Sequence, residues 1–223
     1  MNVPLRRLQP RPVAANEALA NPLRDHERDE MVCAAVAKLE ELLDILRVDH
    51  RSDPNTLGTP ERVAKMLVDE TMRGRFSPAP KLTDFENTLG YEGLIVSGPI
   101  EVRSTCAHHL MPIYGAAYVG ILTSATGRVV GLSKYDRVVD YFAGRLQTQE
   151  EMAQQIGSYL WEATAPRGLA VRISAVHMCR THRGVRAGSG RMITGAWFGE
   201  LATGPAREEF LRECAALEAT APR

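Results

Sequence analysis

Cysteine and histidine stand together twice in this chain, in Ser104-Thr105-Cys106-Ala107-His108-His109 and in Val176-His177-Met178-Cys179. Cys106 and His109 are three residues apart, so a turn between them would bring a thiolate and an imidazole onto one ion. A third ligand is then needed, and the second cluster supplies candidates, because on a strand His177 and Cys179 would share a face. Two thiolates and one imidazole suit Zn2+, and three protein ligands leave the fourth position of a catalytic site open to water. The two thiolates already offset the charge of the ion, making it a milder Lewis acid than a site of three histidines, so nearby proton carriers matter more. His108 and His177 are not needed as ligands, and imidazoles titrating near neutrality suit general acid or base work. A lone Cys-x-x-His reads as core filler beside an ordinary histidine; two such clusters together favour the metal.

Such a site needs elements to hold it. From Asp25 to Arg47 the residues Met31, Val32, Val36, Leu39, Leu42, Leu43 and Leu46 recur every three or four positions, the stripe of an amphipathic helix. Thr59 is a plausible N-cap, with Pro60 at the first position of a helix that runs to about Met72. Arg75 to Leu89 reads as a connection. Leu94–Thr105 and Tyr114–Leu122 are rich in β-branched and aromatic residues and predict two strands, joined by a functional loop where Met111-Pro112 limits pairing. Helices are expected from Ser133 and from Thr148, strands over Leu169–Met178 and Arg191–Glu200, and a closing helix over Pro205–Leu217. Ser133 with Asp136 resembles a capping box. The expected organisation is an α+β fold: a flexible arm over 1–24, a helical segment over 25–73 and a catalytic domain over 74–223.

Bulk composition narrows the partners. The 223 residues, 44% of them hydrophobic, suffice for one core domain. Lys and Arg balance Asp and Glu at 27 each, which speaks against a general nucleic-acid or membrane binder and requires any anionic substrate to meet a local cluster. Arg62, Lys65, Lys134, Arg137 and Arg183 are the candidates, guanidinium groups matching phosphate oxygens best. Apolar runs are shorter than the roughly 20 residues of a membrane helix, and no signal-peptide pattern opens the chain, so an unexported, cytoplasmic protein is expected. Cys33, Cys106, Cys179 and Cys214 are too few and too scattered for a disulfide framework, and a reducing compartment keeps them available.

The runs Gly58-Thr59-Pro60-Glu61-Arg62-Val63-Ala64-Lys65-Met66, Ser104–His109, Gly131-Leu132-Ser133-Lys134, Gln147-Thr148-Gln149-Glu150 and His177-Met178-Cys179 with Arg183-Gly184-Val185-Arg186 together resemble the GTP cyclohydrolase I family. The resemblance implies a tunnelling fold, an antiparallel sheet with helices on one face, whose subunits form a ring, with two pentamers pairing into a decamer and active sites between subunits. It implies Cys106, His109 and Cys179 as zinc ligands and His108 and His177 as proton-transfer residues. It further implies Glu150 as the carboxylate that takes the guanine N1–H and amine, Gln149 as a second substrate contact, and Ser133 as an aid to ribose rearrangement. Lys134, Arg137 and Arg183 become phosphate ligands, with Arg62 and Lys65 reaching in from a neighbouring subunit. The implied reaction hydrates GTP at C8, opens the imidazole ring, releases formate and closes a pterin, 7,8-dihydroneopterin triphosphate.

Two departures from the family pattern set further expectations. Ala107 stands where the family's run carries Glu, so rate, pH optimum or stopping stage is expected to differ. Arg180-Thr181-His182 and Gly188-Ser189-Gly190-Arg191 with Trp197 are atypical and point to a remodelled pocket. The alternatives are a specialised paralogue that opens GTP or another purine nucleotide but stops at an earlier product, and a non-catalytic nucleotide-binding oligomer.

Overall fold

The computed structural model describes residues 13–220, so residues 1–12 of the expected arm, and residues 221–223, lie outside the described residues. The rest of that arm, 13–24, has no helix or strand, yet it is not loose. Arg75 Nη1 donates to the carbonyls of Ala14 (2.7 Å) and Glu17 (3.1 Å), and Arg145 Nη1 donates to that of Asn16 (2.9 Å). Backbone hydrogen bonds from Leu19 to Arg75 and from Leu23 to Phe76 complete the docking.

Helix α1 (Asp25–Ile45) starts at Arg24, whose backbone N–H donates to Glu27 Oε2 at 2.9 Å, and Asp25 and Glu27 complement the positive helix terminus. It packs on α2 (Thr59–Lys65). Its apolar stripe has no full cover: none of its residues is buried, and Leu42, Ile45 and Leu46 are exposed. Thr59 is the first helical residue and not the cap. Gly58 occupies the cap position in the left-handed region, φ 75°, where a side chain would be strained. A π-helical turn, Met66–Thr71, and α3 (Arg73–Phe76) follow.

The site is carried by a five-stranded sheet in the order β5-β2-β3-β6-β7, made of β2 (Leu94–Cys106), β3 (Pro112–Leu122), β5 (Leu146–Gln147), β6 (Gly168–His177) and β7 (Arg191–Gly199). All pairs are antiparallel except the two-residue β2–β5 contact, where Cys106 faces Gln147. β1 (Asp84–Glu86) and β4 (Arg128–Val130) form a separate ribbon. A register shift between Ser97 and Ile100 reverses the alternation of β2. Leu94 and Val96 therefore point to one face, while Ile100, Val102 and Cys106 point to the other.

Helices α4 (Ser133–Ala143) and α5 (Gln149–Thr164) cover the face of Val102, Ile113, Ala117, Val171 and Ile173 with Val138, Val139, Met152, Ile156 and Leu160, all at most 1% exposed or fully buried. Each such side chain contributes about 1.5–3 kcal/mol on burial. The expectation that helices occupy one face holds for this pair only. Helix α7 (Gly204–Thr220) packs Phe210 and Cys214 on the opposite face, against Tyr118, Leu122 and Ala170. Gly120 makes room there, since a Cβ would stand 2.4 Å from the Phe210 ring. Ser133 opens α4 as expected, but Leu132 is the cap residue and no side-chain cap bond forms, so the capping box with Asp136 is absent. Among the described residues no helix is long and apolar enough to cross a membrane.

Candidate active site

β2 ends at Cys106, and the chain turns back at once. Cys106 N donates to Met111 O (2.8 Å), Leu110 N donates to Cys106 O (2.9 Å), and Leu110 takes a left-handed φ of 53°. This tight turn carries His108 and His109 over the end of the sheet. β5 joins alongside, with Ala107 N donating to Gln147 O at 3.0 Å, so the first turn of α5 starts beside the loop. β6 delivers His177 to the same end. Cys179 is not on that strand, as the sequence spacing suggested, but in the helical turn α6 (Met178–Thr181), which swings its thiol toward Cys106.

The donor atoms of Cys106, His109 and Cys179 all lie within 4.8 Å of one another, close enough to share one metal ion. Two sulfurs and one nitrogen from two segments are the donor set that suits zinc among the divalent ions. Burial raises the Cys179 thiol above its ordinary pKa, and the neighbouring Cys106 adds to the rise. A divalent cation reverses that balance, because a coordinating thiol is deprotonated. Arg183 Nη1 lies 3.1 Å from His109 Nε2 and donates to it.

Cys106, His108, Gln149, Glu150, His177 and Cys179 line one cavity of about 490 Å³. Glu150 stands in the first turn of α5, its carboxylate free of any ion pair among the described residues and acting on the His177 ring. Burial lowers the His177 pKa, the Glu150 charge opposing it. Gln149, the sequence-expected substrate contact, is fully buried, and its side-chain amide is engaged by the protein.

Other expected site residues are not brought here. Ser133, Lys134 and Arg137 sit in the first turns of α4, which runs toward the site and ends at Ala143; at about 1.5 Å per residue, Ser133 stands roughly 15 Å from that end. Lys134 Nζ donates instead to Lys81 O at 3.2 Å. Arg62 is held within its own helix start by Leu57 O (3.0 Å) and Thr59 Oγ1 (2.8 Å), and Lys65 follows on the same short helix, neither lining the cavity. Trp197, part of the atypical stretch, packs against Phe210 and under Arg207 on the α7 face and is not among the residues lining the cavity. Gln147 was missed. Its Nε2 donates to Phe142 O (2.7 Å) and Gln155 Oε1 (2.9 Å), while its buried Oε1 lacks a partner beside the cavity. Only its place in the Gln147–Glu150 run hinted at it.

The fold and site define an α+β protein with a metal-competent Cys-His-Cys group at a sheet end, flanked by a carboxylate and spare imidazoles. Comparison with known proteins makes this specific. A family model described as GTP cyclohydrolase I matches residues 35–215, and the chain belongs to that family. It is 38% identical over 197 residues to "GTP cyclohydrolase 1" of Flavobacterium johnsoniae, covering 86% of each chain. It is 38% identical over 191 residues to the protein of that name from Chlorobaculum tepidum, covering 84% of this chain and 83% of the other. Against the Brucella canis protein it is 42% identical over 155 residues, 67% and 71% of the two chains.

Proposed function

We propose that this chain hydrolyses the imidazole ring of GTP at C8, using zinc, with release of formate and rearrangement to 7,8-dihydroneopterin triphosphate. The observation that carries the reading is that Cys106 and Cys179, whose donors group with that of His109, line one cavity with Glu150, His108 and His177, on a chain of this family. Zinc held by the three donors would supply an electrophilic centre that activates water at neutral pH. Glu150 accepts the guanine N1–H and exocyclic amine together, fixing the base edge-on in the cavity. His177 and His108, which line the cavity with Cys106 and Cys179, hold the proton that the ring nitrogen takes as the C8–N9 bond opens. Burial lowers the His177 pKa, so that once charged the ring gives up its proton more readily.

A triphosphate needs cations, and of the five candidates only Arg183 touches the donor set. Ser133, Lys134, Arg137, Arg62 and Lys65 serve the cavity of a neighbouring copy in the proposed assembly, a decamer of two pentamers. Two features support assembly. Among the described residues β7 is paired on one side only, and β2 is paired by β5 at Thr105 and Cys106 alone, leaving most of one edge open. Where β2 ends and β3 begins, a second cavity of about 500 Å³ is lined by Ser104, whose Oγ is buried and without a partner among the described residues. A cytoplasmic setting keeps the two thiols reduced.

The reading is tested by incubating the zinc-loaded protein with GTP and following formate release and product mass. Formation of formate with the pterin triphosphate is expected; GTP recovered intact would refute the proposal.

A further inference from the structure

Gln149 is the most completely engaged side chain at the site. Its Nε2 lies 3.1 Å from Ile173 O, 3.1 Å from Met192 O and 3.0 Å from Thr194 Oγ1, and its Oε1 lies 2.8 Å from His177 Nε2. Two of the first three partners are backbone carbonyls, which only accept, so that end of the amide must be the NH2 group. The other end is then an oxygen, which also only accepts. His177 Nε2 must therefore carry a hydrogen, and in the neutral ring Nδ1 holds the lone pair. No rotation of the amide escapes this, because a flipped Gln149 would aim its oxygen at two carbonyl oxygens in a fully buried place.

We infer that Gln149 is a positioning residue that locks His177 as the Nε2–H tautomer, so that Nδ1 is the nitrogen that holds the lone pair of the neutral ring. The carbonyls that orient Gln149 come from β6 and β7, so the tautomer is set by the pairing of those two strands and not by the solvent. Gln149 stands at the first position of α5, three residues ahead of the buried Met152, and its side chain reaches through the helix–sheet layer to do this. The proton-transfer role rests on the proposed function; the tautomer does not.

The decisive experiment is 15N spectroscopy of zinc-loaded protein labelled at histidine, with His177 assigned by its absence in His177→Asn. A protonated Nε2 and an unprotonated Nδ1 are expected in the neutral ring; the reverse pattern overturns the inference. Kinetics give a second reading. Gln149→Met removes the lock and is expected to lower kcat by about 100-fold, the range of a lost proton-transfer contribution, with KM for GTP within about twofold. A raised KM with kcat intact would mean that Gln149 contacts substrate, and would overturn it. Thr194→Val removes one acceptor but leaves both carbonyls, so the tautomer signal is expected to stay; its loss contradicts the orientation argument. If the wild-type protein released no formate from GTP, the proposed function would fall while the spectrum still decided the tautomer.

Discussion

The first turn of α5 holds Gln149 and Glu150 in place through the buried residues beneath them, and this can be separated from the general stability of the helix. Met152 and Leu160 are both fully buried on α5, eight residues or roughly 12 Å apart. Met152 lies three residues from Gln149 on the same face, whereas Leu160 lies toward the far end. Truncating either to alanine removes a comparable apolar side chain and costs about 2–5 kcal/mol. In a chain of this size that corresponds to a fall of about 4–20 °C in Tm for both variants. The activities should diverge. Misplacing a reacting group by about 1 Å costs on the order of 100-fold, so even partial loosening of the first turn in Met152→Ala predicts at least a roughly tenfold loss in kcat/KM for GTP. Leu160→Ala should keep kcat/KM within about twofold of wild type once unfolded protein is discounted. The assay is formate release at a temperature well below both midpoints, with Tm measured on the same preparations. Equal losses of activity in the two variants would refute the claim that packing under the first turn sets the site.

Further outcomes follow from the same geometry. Glu150→Gln keeps the shape but loses the carboxylate, and KM for GTP should rise by roughly tenfold or more, at about 1.5–3 kcal/mol per charge-assisted hydrogen bond; unchanged KM would exclude Glu150 as the guanine acceptor. If neighbouring copies complete each site, Cys179→Ala and Arg137→Ala should each be inactive alone yet regain formate release when co-assembled, and a mixture that stays inactive would place both residues in one chain's site. Chelation should expose Cys179 to alkylation while Cys214, buried on the α7 face with its thiol pushed up to about 12, stays unreactive until the chain unfolds; alkylation of Cys214 in the folded protein would contradict its burial. Ala107→Glu should alter the rate or the product distribution, measured by product mass, and identical kinetics would show that position to be neutral.

Much of this was legible in the residues. The apolar periodicities placed the main helices and strands because α4, α5, β3 and β6 bury their faces in the core, where pattern and packing agree. The Cys106–His109 spacing was legible because a tight turn is a local event. What was not legible depended on direction in space. Ser133, Lys134 and Arg137 share a run with the family's site, but nothing in the run says that α4 carries them away from this chain's own cavity. The burial of Gln149 is not visible in a polar helix start. Thr59 and Ser133 have the right chemistry for caps, yet the left-handed Gly58 and the preceding turn took those positions. The apolar stripe of α1 was clear, but its lack of cover within one chain shows only in three dimensions.

The central claim is that Cys106, His109 and Cys179 together hold a zinc ion on which GTP opening depends. Zinc content by elemental analysis, measured on the samples used for formate release, tests it in wild type and Cys179→Ala. A zinc ion bound to each wild-type chain, and loss of both metal and turnover in the variant, is the predicted result; formate release at the wild-type rate by zinc-free Cys179→Ala would contradict the account.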